Sequence, residues 1–214
     1  MFRESLAVAV DIAIMTADTG VIKVLLIRRK NEPYKGKWAL PGGFVKEKEE
    51  LIDAAERELK EETGVSGVVL EQLHAFGGVD RDPRGRVVSV AFISFLPQES
   101  LVKAATDAAD ADWFPIYDLP ELAFDHDEIV RFSLTWLRHN LEHSAVDKHF
   151  LPEQFALKDI QTIYEAILGG PLDEKEFYRE ILQSGKIIET ASEGKKTKKT
   201  YSFNPEFIDF EDKT

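Results

Sequence analysis

The feature that most constrains this chain is a set of glycines and carboxylates at fixed spacing between residues 43 and 65. Gly43 precedes a helical pattern that carries Glu58, Glu61 and Glu62. At about 100° per residue, Glu58 and Glu62 lie one helical turn apart, with Glu61 beside them on the same face. Because crowded carboxylates repel each other, this face favours a hard divalent cation with oxygen ligands. Magnesium fits best, since it uses few carboxylates and shares substrate phosphates.

The flanking pattern predicts a mixed sheet between helices. Apolar alternation predicts strands over residues 5–16 and 21–29, then a turn-rich segment over 31–43, and a helix over 49–63 that ends at Gly64. Further strands are expected at about 67–75 and 87–96, and a helix at about 125–142. The stripe of that last helix includes Val130, Leu134 and Leu137, and Phe132 is expected to widen it. This order of elements is typical of an α/β fold.

The pattern changes after residue 142. Residues 143–153 are predicted to be a connection, followed by helices over 157–167 and 173–182 and a hairpin that pairs 186–190 with 200–203. Two helices followed by a two-stranded hairpin are typical of a small winged-helix-like domain. The predicted domains are therefore residues 1–145 and 153–205.

Composition excludes several classes of function. The chain has no cysteine, so disulfides, thiolate metal sites and cysteine nucleophiles are excluded. It has no apolar run of the roughly 20 residues that span a bilayer, which predicts a cytoplasmic protein without a membrane partner. The net charge of -12 repels phosphates at long range, so an anionic ligand needs a bound cation or a local positive feature. The histidines show no ligand spacing.

The carboxylate helix resembles the Nudix box at each defined position. The matching residues are Gly43, Glu49, Arg57, Glu58, Leu59, Glu61, Glu62, Gly64 and Val65. The resemblance implies a Nudix α/β/α sandwich that hydrolyses a nucleoside diphosphate linked to another group. It further implies a Mg²⁺ cofactor, with Mn²⁺ as an alternative, and a homodimer.

The resemblance also implies roles for residues of the box. Glu58 and Glu62 would coordinate the metal, and Glu61 would be a ligand or assist the base. Arg57 and Glu49 would hold the catalytic arrangement. The alternative is that these charges form a solvated helix face, as most charge runs do. The fixed glycine spacing favours the functional interpretation.

A second resemblance concerns the substrate. Residues 76–91 look like a segment of Nudix proteins that handle ADP-ribose or related NAD metabolites. Arg81, Arg84 and Arg86 could bind phosphate as bidentate forks, and Gly43 would let the backbone approach the substrate. The alternative is a structural loop in which Asp80 and Asp82 pair with these arginines.

Residues 155–169 resemble the winged helix of Nudix-related transcriptional regulators of NAD metabolism. Two functions therefore compete. One is hydrolysis of ADP-ribose or a similar nucleotide sugar. The other is transcriptional regulation, in which the Nudix domain senses such a metabolite and the winged helix binds DNA. Residues 150–214 carry a net charge of -4, and residues 173–180 contain four acids against Lys175 and Arg179. DNA readers are usually basic, and the regulators that this segment resembles often have eroded box carboxylates, whereas here none is missing. Hydrolysis is therefore favoured over DNA binding. Four wing lysines could contact phosphates or could simply be a solvated turn: Lys195, Lys196, Lys198 and Lys199.

Overall fold

The computed structural model describes residues 6–96, 111–190 and 199–207. The chain forms two compact units. The first contains Met1–Thr16 and Lys23–Ser133, and the second contains Ala17–Ile22 and Leu134–Thr214. Lys195, Lys196 and Lys198 lie outside the described residues. No helix in the described ranges is both long and apolar enough to cross a membrane.

A seven-stranded mixed sheet organises the first unit. Its strands are β1 (Ala7–Asp18), β2 (Val21–Arg28), β3 (Trp38–Ala39), β4 (Gly42–Phe44), β5 (Glu71–Phe76), β6 (Val87–Leu96) and β7 (Ala111–Pro115). The order is β3-β2-β1-β6-β5, with β4 also on β1 and β7 also on β2. β1 runs parallel to β6, whereas β4 lies antiparallel to β1. The predicted mixed sheet is therefore confirmed.

Helix α1 (Leu51–Thr63) covers one face of β1. Ala55 and Leu59 lie on the buried stripe of α1 and pack in one core cluster with Val10, Ile12 and Ile14. Alternation along β1 points these strand residues to the same face. Gly64 ends the helix in the left-handed conformation at φ 73°, which glycine adopts without a steric penalty. Glu58 and Glu62 lie beside this stripe, partly buried on the side of α1 that meets β4, whereas Glu61 is exposed.

The second unit contains the end of α2 (His126–His143), a 3₁₀ helix (Val146–Phe150), α3 (Leu157–Leu168), α4 (Glu174–Gln183) and the hairpin β8 (Ile187–Thr190) with β9 (Thr200–Phe203). α3, α4 and the hairpin share a small core of Phe155, Ile160, Phe177, Ile181, Ile187 and Tyr201. The predicted winged-helix arrangement is confirmed.

Several local predictions differ from the structure. β3 and β4 lie within or beside the predicted turn segment, and β7 and the 3₁₀ helix were not predicted. β5 begins only at Glu71, since residues 67–70 form no strand. Phe132 does not widen the buried stripe of α2, because it is 37% exposed and stacks on His74 at 4.9 Å between ring centroids. An aromatic neighbour on β5 thus replaces the core as its partner.

Candidate functional site

Gly42 and Gly43 bring β4 close to both β1 and α1. A Cβ atom on Gly42 would collide with the carbonyl oxygen of Val10, and one on Gly43 would collide with the carboxylate of Glu58. Only glycine allows this close approach. The backbone at Gly43 was predicted to approach the substrate; in the structure it lies against the Glu58 carboxylate of α1. Both glycines also line the neighbouring cavity.

Arg57 joins the elements of the box. Its Nε atom lies 2.6 Å from Glu49 Oε1 and its Nη2 atom 2.9 Å from Glu49 Oε2, which is a bidentate pair. Its Nη1 atom donates to Glu58 Oε1 at 2.5 Å, and Nη2 also donates to the carbonyl oxygen of Phe44 at 3.2 Å. The hydrogen bonds from Arg57 lower the pKa of Glu49 to about 2. The structure therefore places Arg57 and Glu49 where they hold the loop and Glu58 in register.

Glu62 is the most perturbed carboxylate of the helix. Burial raises its pKa to about 7, although the hydrogen bond that it accepts from Gly42 N at 2.9 Å opposes the shift. The negative charges of Glu58 and Asp11 raise it further. Glu61, in contrast, has a side chain that is 60% exposed and lies 3.6 Å from Arg57 Nη1. A cation beside Glu62 would relieve the repulsion that raises its pKa.

The donor set suits a hard divalent cation but is not assembled around one. Among the described residues, no three carboxylates or imidazoles are gathered closely enough to hold a metal ion. Glu58 and Glu62 offer the oxygen ligands that Mg²⁺ prefers, and Mg²⁺ needs only one or two carboxylates when phosphates and water complete the octahedron. The assignment of Glu58, Glu61 and Glu62 as metal ligands stays a prediction.

A buried polar network forms the floor of a cavity of 110 Å³ beside the glycines. Arg81 donates to both oxygens of Asp125, from Nε at 2.8 Å and from Nη2 at 2.6 Å, and its Nη2 atom lies 3.3 Å from Asp11 Oδ2. Ser89 Oγ donates to the same oxygen of Asp11 at 2.5 Å. Burial opposes the charge of Arg81, but these carboxylates raise its pKa overall.

His126 completes this network. Its Nδ1 atom accepts a hydrogen bond from Leu40 N at 2.9 Å, so the ring proton lies on Nε2, 3.4 Å from Asp11 Oδ1. Burial lowers the pKa of His126, which keeps the ring neutral. The spacing of the histidines in the sequence does not predict this role for His126. The feature that could have predicted the network is Asp11, a charged residue within an apolar strand.

The loop arginines have different partners. Arg84 binds the buried Asp82 through Nε at 2.9 Å and Nη2 at 2.6 Å, so the alternative of a structural pair holds for Arg84. Arg81 pairs with Asp125 and Asp11, and not with Asp80, because its side chain turns inward under the loop. Arg86 donates to the carbonyl oxygens of Gly77 and Gly78 at 2.8 and 3.0 Å.

Cations and aromatic rings alternate at the mouth of the cavity. The guanidinium carbon of Arg84 lies 4.8 Å from the ring centroid of Phe44 and 5.5 Å from that of Phe124. The guanidinium carbon of Arg29 also lies over Phe124, 4.6 Å from the same ring centroid. Arg29, Phe44 and Phe124 were not predicted as site residues, since none of them stands at a defined position of the box.

Arg29 also lines a second cavity, of 260 Å³, together with Glu61 and Glu62. It therefore stands between the carboxylates of α1 and the cation-rich cavity. Burial and the nearby charge of Arg84 lower the pKa of Arg29. Two arginines that repel each other across an aromatic ring are relieved by an anionic ligand.

The comparisons with known proteins agree with this geometry. The model of the NUDIX domain matches residues 5–133, and that of the NrtR DNA-binding winged helix domain matches residues 148–203. The chain belongs to the Nudix family. The Nudix domain thus accounts for the carboxylate helix and the cation-rich cavity, and the winged helix for α3, α4 and the hairpin.

Similar proteins match either almost the whole chain or a part of it. The chain is 34% identical to the ADPR responsive transcriptional repressor NtrR of Acinetobacter baylyi, over 94% of this chain and 83% of that protein. It is 47% identical to the ADP-ribose pyrophosphatase of Methanocaldococcus jannaschii, over 61% of this chain and 74% of that protein. Among solved structures, Shewanella oneidensis NrtR complexed with a 27mer DNA is 32% identical, with a TM-score of 0.76 and 94% of each chain covered.

Proposed function

We propose that this chain is a transcriptional regulator that binds DNA through its winged helix and senses ADP-ribose through its Nudix domain. The observation that carries the proposal is similarity to a repressor along 94% of the chain, through both domains. Sequence features alone favour hydrolysis, because the box is intact and residues 150–214 are acidic. Similarity over the second domain reverses that order, since a hydrolase alone does not need a winged helix.

The proposed ADP-ribose site is the cavity mouth between Arg29 and Arg84. An arginine fork suits the diphosphate, and the Arg84 Nη1 atom has no hydrogen bond among the described residues. The rings of Phe44 and Phe124 offer faces on which a nucleobase can stack. Phe124 and its neighbour Tyr34 both have positive φ, at 56° and 63°, and their rings meet at 4.9 Å. Bulky residues in this strained region cluster at ligand sites.

The proposed DNA interface is α4 with the β8–β9 hairpin. Arg179 of α4 lies 3.4 Å from Glu176 and 3.7 Å from Glu180, and Lys199 lies 2.8 Å from Glu189 across the hairpin. These pairs are exposed, and exposed ion pairs contribute only about 0–1 kcal/mol. A DNA phosphate can therefore exchange with the carboxylates at little cost. The acidic composition of α4 limits the number of such contacts but does not oppose them strongly.

Fluorescence anisotropy tests this proposal. The full chain is titrated onto labelled DNA from upstream of its own gene and onto a scrambled fragment, at physiological salt, with and without ADP-ribose. We expect tighter binding to the upstream fragment and a change of at least fivefold in that affinity with ADP-ribose. Equal affinity for the two fragments, or no response to ADP-ribose, would contradict the proposal.

A second function is favoured by the intact box and by the identity to an ADP-ribose pyrophosphatase. We propose that the same Nudix domain hydrolyses ADP-ribose with Mg²⁺. In this reaction the metal would polarise a phosphoryl oxygen and lower the pKa of the attacking water. Release of AMP and ribose 5-phosphate by wild type, but not by Glu61→Gln or Glu62→Gln, is the expected result. A wild type that binds ADP-ribose and releases neither product would restrict the domain to sensing. The homodimer implied by the resemblance stays a prediction.

A further inference from the structure

Residues 40–42 join β3 to β4, and the first two of them are fixed by neighbouring elements of the first unit. Leu40 N donates a hydrogen bond to Nδ1 of His126 at 2.9 Å, and the carbonyl oxygen of Pro41 accepts one from Ile12 N at 2.8 Å. Leu40 and Pro41 are both buried. Because water has little access to these backbone groups, their partners in the protein decide where the segment lies.

Gly42, the third residue of this segment, presents its amide to a carboxylate of α1. Gly42 N donates to Glu62 Oε2 at 2.9 Å. Glu62 Oε1 has no hydrogen-bond partner among the described residues. The terminal torsion of a glutamate has no sharp preference of its own, so the bond at Oε2 restricts the rotation of the carboxylate. The position of the Gly42 amide therefore determines where Glu62 presents Oε1 to a cation.

The ring of His126 is itself held in one orientation. Nε2 carries the ring proton and lies 3.4 Å from Asp11 Oδ1. The other oxygen of Asp11 accepts from Ser89 Oγ at 2.5 Å and from Arg81 Nη2 at 3.3 Å. Burial lowers the pKa of His126, so the ring stays neutral and Nδ1 keeps the lone pair that accepts from Leu40 N.

His126 is placed to position other groups and not to react. Nδ1 is occupied by Leu40 N, Nε2 faces Asp11, and the side chain is only 5% exposed. Neither nitrogen remains for a metal ion or for a proton of the substrate. The packing of α1 on β1 comes from a separate apolar cluster that includes Ile12 and Leu59. Loss of one hydrogen bond at His126 should therefore leave that packing intact.

We propose that His126 is a positioning residue for the cation site: through Leu40 it holds the Gly42 amide in place, and this amide orients the carboxylate of Glu62. This role rests on the proposed hydrolysis with Mg²⁺, in which Glu62 is a metal ligand. Without the bond from Leu40 N, the Gly42 amide is less restrained and Glu62 loses its fixed partner. A cation must then order the carboxylate when it binds, and loss of a group that orients a ligand costs about 10- to 100-fold in metal affinity.

Two substitutions separate the roles of the two ring nitrogens. In His126→Asn the side-chain oxygen takes the place of Nδ1 and can accept from Leu40 N, but the donor to Asp11 is lost. In His126→Gln the amide nitrogen takes the place of Nε2 and can donate to Asp11, but the acceptor for Leu40 N is lost. Each variant removes one contact of the same buried ring, so each is the matched control for the other.

Two measurements on the full chain test the role. Hydrogen exchange resolved by NMR reads the amides of Leu40 and Gly42 in the metal-free protein, and the amides of Val24 and Leu25 in the buried part of β2 report general opening. Calorimetry measures the affinity for Mn²⁺ at pH 8, where the Glu62 carboxylate predominates.

In His126→Gln we expect the Leu40 and Gly42 amides to exchange at least tenfold faster than in wild type and the Mn²⁺ affinity to fall about tenfold. In His126→Asn both quantities should stay within threefold of wild type, and exchange in β2 should be unchanged in both variants. Equal Mn²⁺ affinity of the two variants would overturn the positioning role. So would a weaker affinity of His126→Gln without faster exchange at Gly42, or with faster exchange throughout β2. A wild type that binds no Mn²⁺ contradicts the metal-dependent hydrolysis itself, and the positioning role falls with it.

Discussion

Lys186 Nζ lies 2.6 Å from Asp147 Oδ1, and neither side chain has appreciable access to water. Burial raises the pKa of Asp147 to about 6 and lowers that of Lys186, so the two charges depend on each other. We expect Lys186→Met alone to destabilise the second unit by about 3–5 kcal/mol, because it leaves Asp147 buried without a partner. Asp147→Leu/Lys186→Met should recover most of that loss. Urea unfolding followed by circular dichroism measures both, and a single variant as stable as wild type would contradict the expectation.

The raised pKa of Glu62 predicts how metal binding depends on pH. Its folded pKa is raised to about 7, so the neutral acid predominates below pH 7 and the carboxylate above it. A metal ion needs the carboxylate, and protons therefore compete with it increasingly as the pH falls through 7. We expect Mn²⁺ affinity, measured by calorimetry, to be about tenfold weaker at pH 6 than at pH 8. Glu62→Gln should bind weakly at both pH values, and an equal affinity of wild type at pH 6 and 8 would argue against Glu62 as a ligand.

The close contact between Gly43 and the Glu58 carboxylate can be tested sterically. In Gly43→Ala the new methyl group collides with the Glu58 carboxylate, so Glu58 must leave its position beside Arg57. We expect a loss of stability of about 1–3 kcal/mol, as for other overpacked positions, and weaker metal binding. Gly78→Ala is the matched control, because its methyl group would lie 3.8 Å from Arg81 Cβ, an ordinary contact. Equal thermal unfolding and metal titration for the two variants would disprove the close approach.

Asp82 is expected to strengthen ligand binding because it fixes the orientation of the Arg84 guanidinium before the ligand arrives. The buried carboxylate of Asp82 holds the guanidinium over Phe44 and Phe124. In Asp82→Asn the charge-assisted bonds are lost and Arg84 gains freedom, which must be ordered again when the ligand binds. We expect the affinity for ADP-ribose to fall about tenfold, or about 1.4 kcal/mol. Asp80→Asn, at an exposed position of the same loop, should bind as wild type does, and calorimetry on both variants decides.

The box could be predicted from sequence because its members are local. Glu58 and Glu62 share one helix, so spacing alone places them on one face, and the glycine at 43 marks the close approach. The cavity could not be predicted in the same way. Arg29 follows β2, Asp125 precedes α2 and His126 begins it, so only the pairing of strands in the sheet brings them together. Leu40 N and His126 Nδ1, for example, are separated by 86 positions along the chain.

The loop arginines show a second limit of sequence reasoning. Arg81, Arg84 and Arg86 have the same side chain and nearly the same neighbours in sequence, yet one is buried, one lies over aromatic rings and one binds backbone carbonyls. Each outcome depends on a tertiary partner: Asp125 for Arg81, Phe44 for Arg84 and the turn carbonyls for Arg86. A shared chemistry of phosphate binding therefore could not be assigned to all three from their types alone.

Arg57 has a consequence for how this domain can change over evolutionary time. Its guanidinium already supplies a positive charge between Glu49, Glu58 and the carbonyl of Phe44. The acidic face therefore carries a resident counterion and keeps its shape when no metal is bound. Recognition of a nucleotide and its cleavage are thereby separable traits: selection can remove turnover through a single carboxylate such as the exposed Glu61, while the cavity that detects the metabolite stays intact.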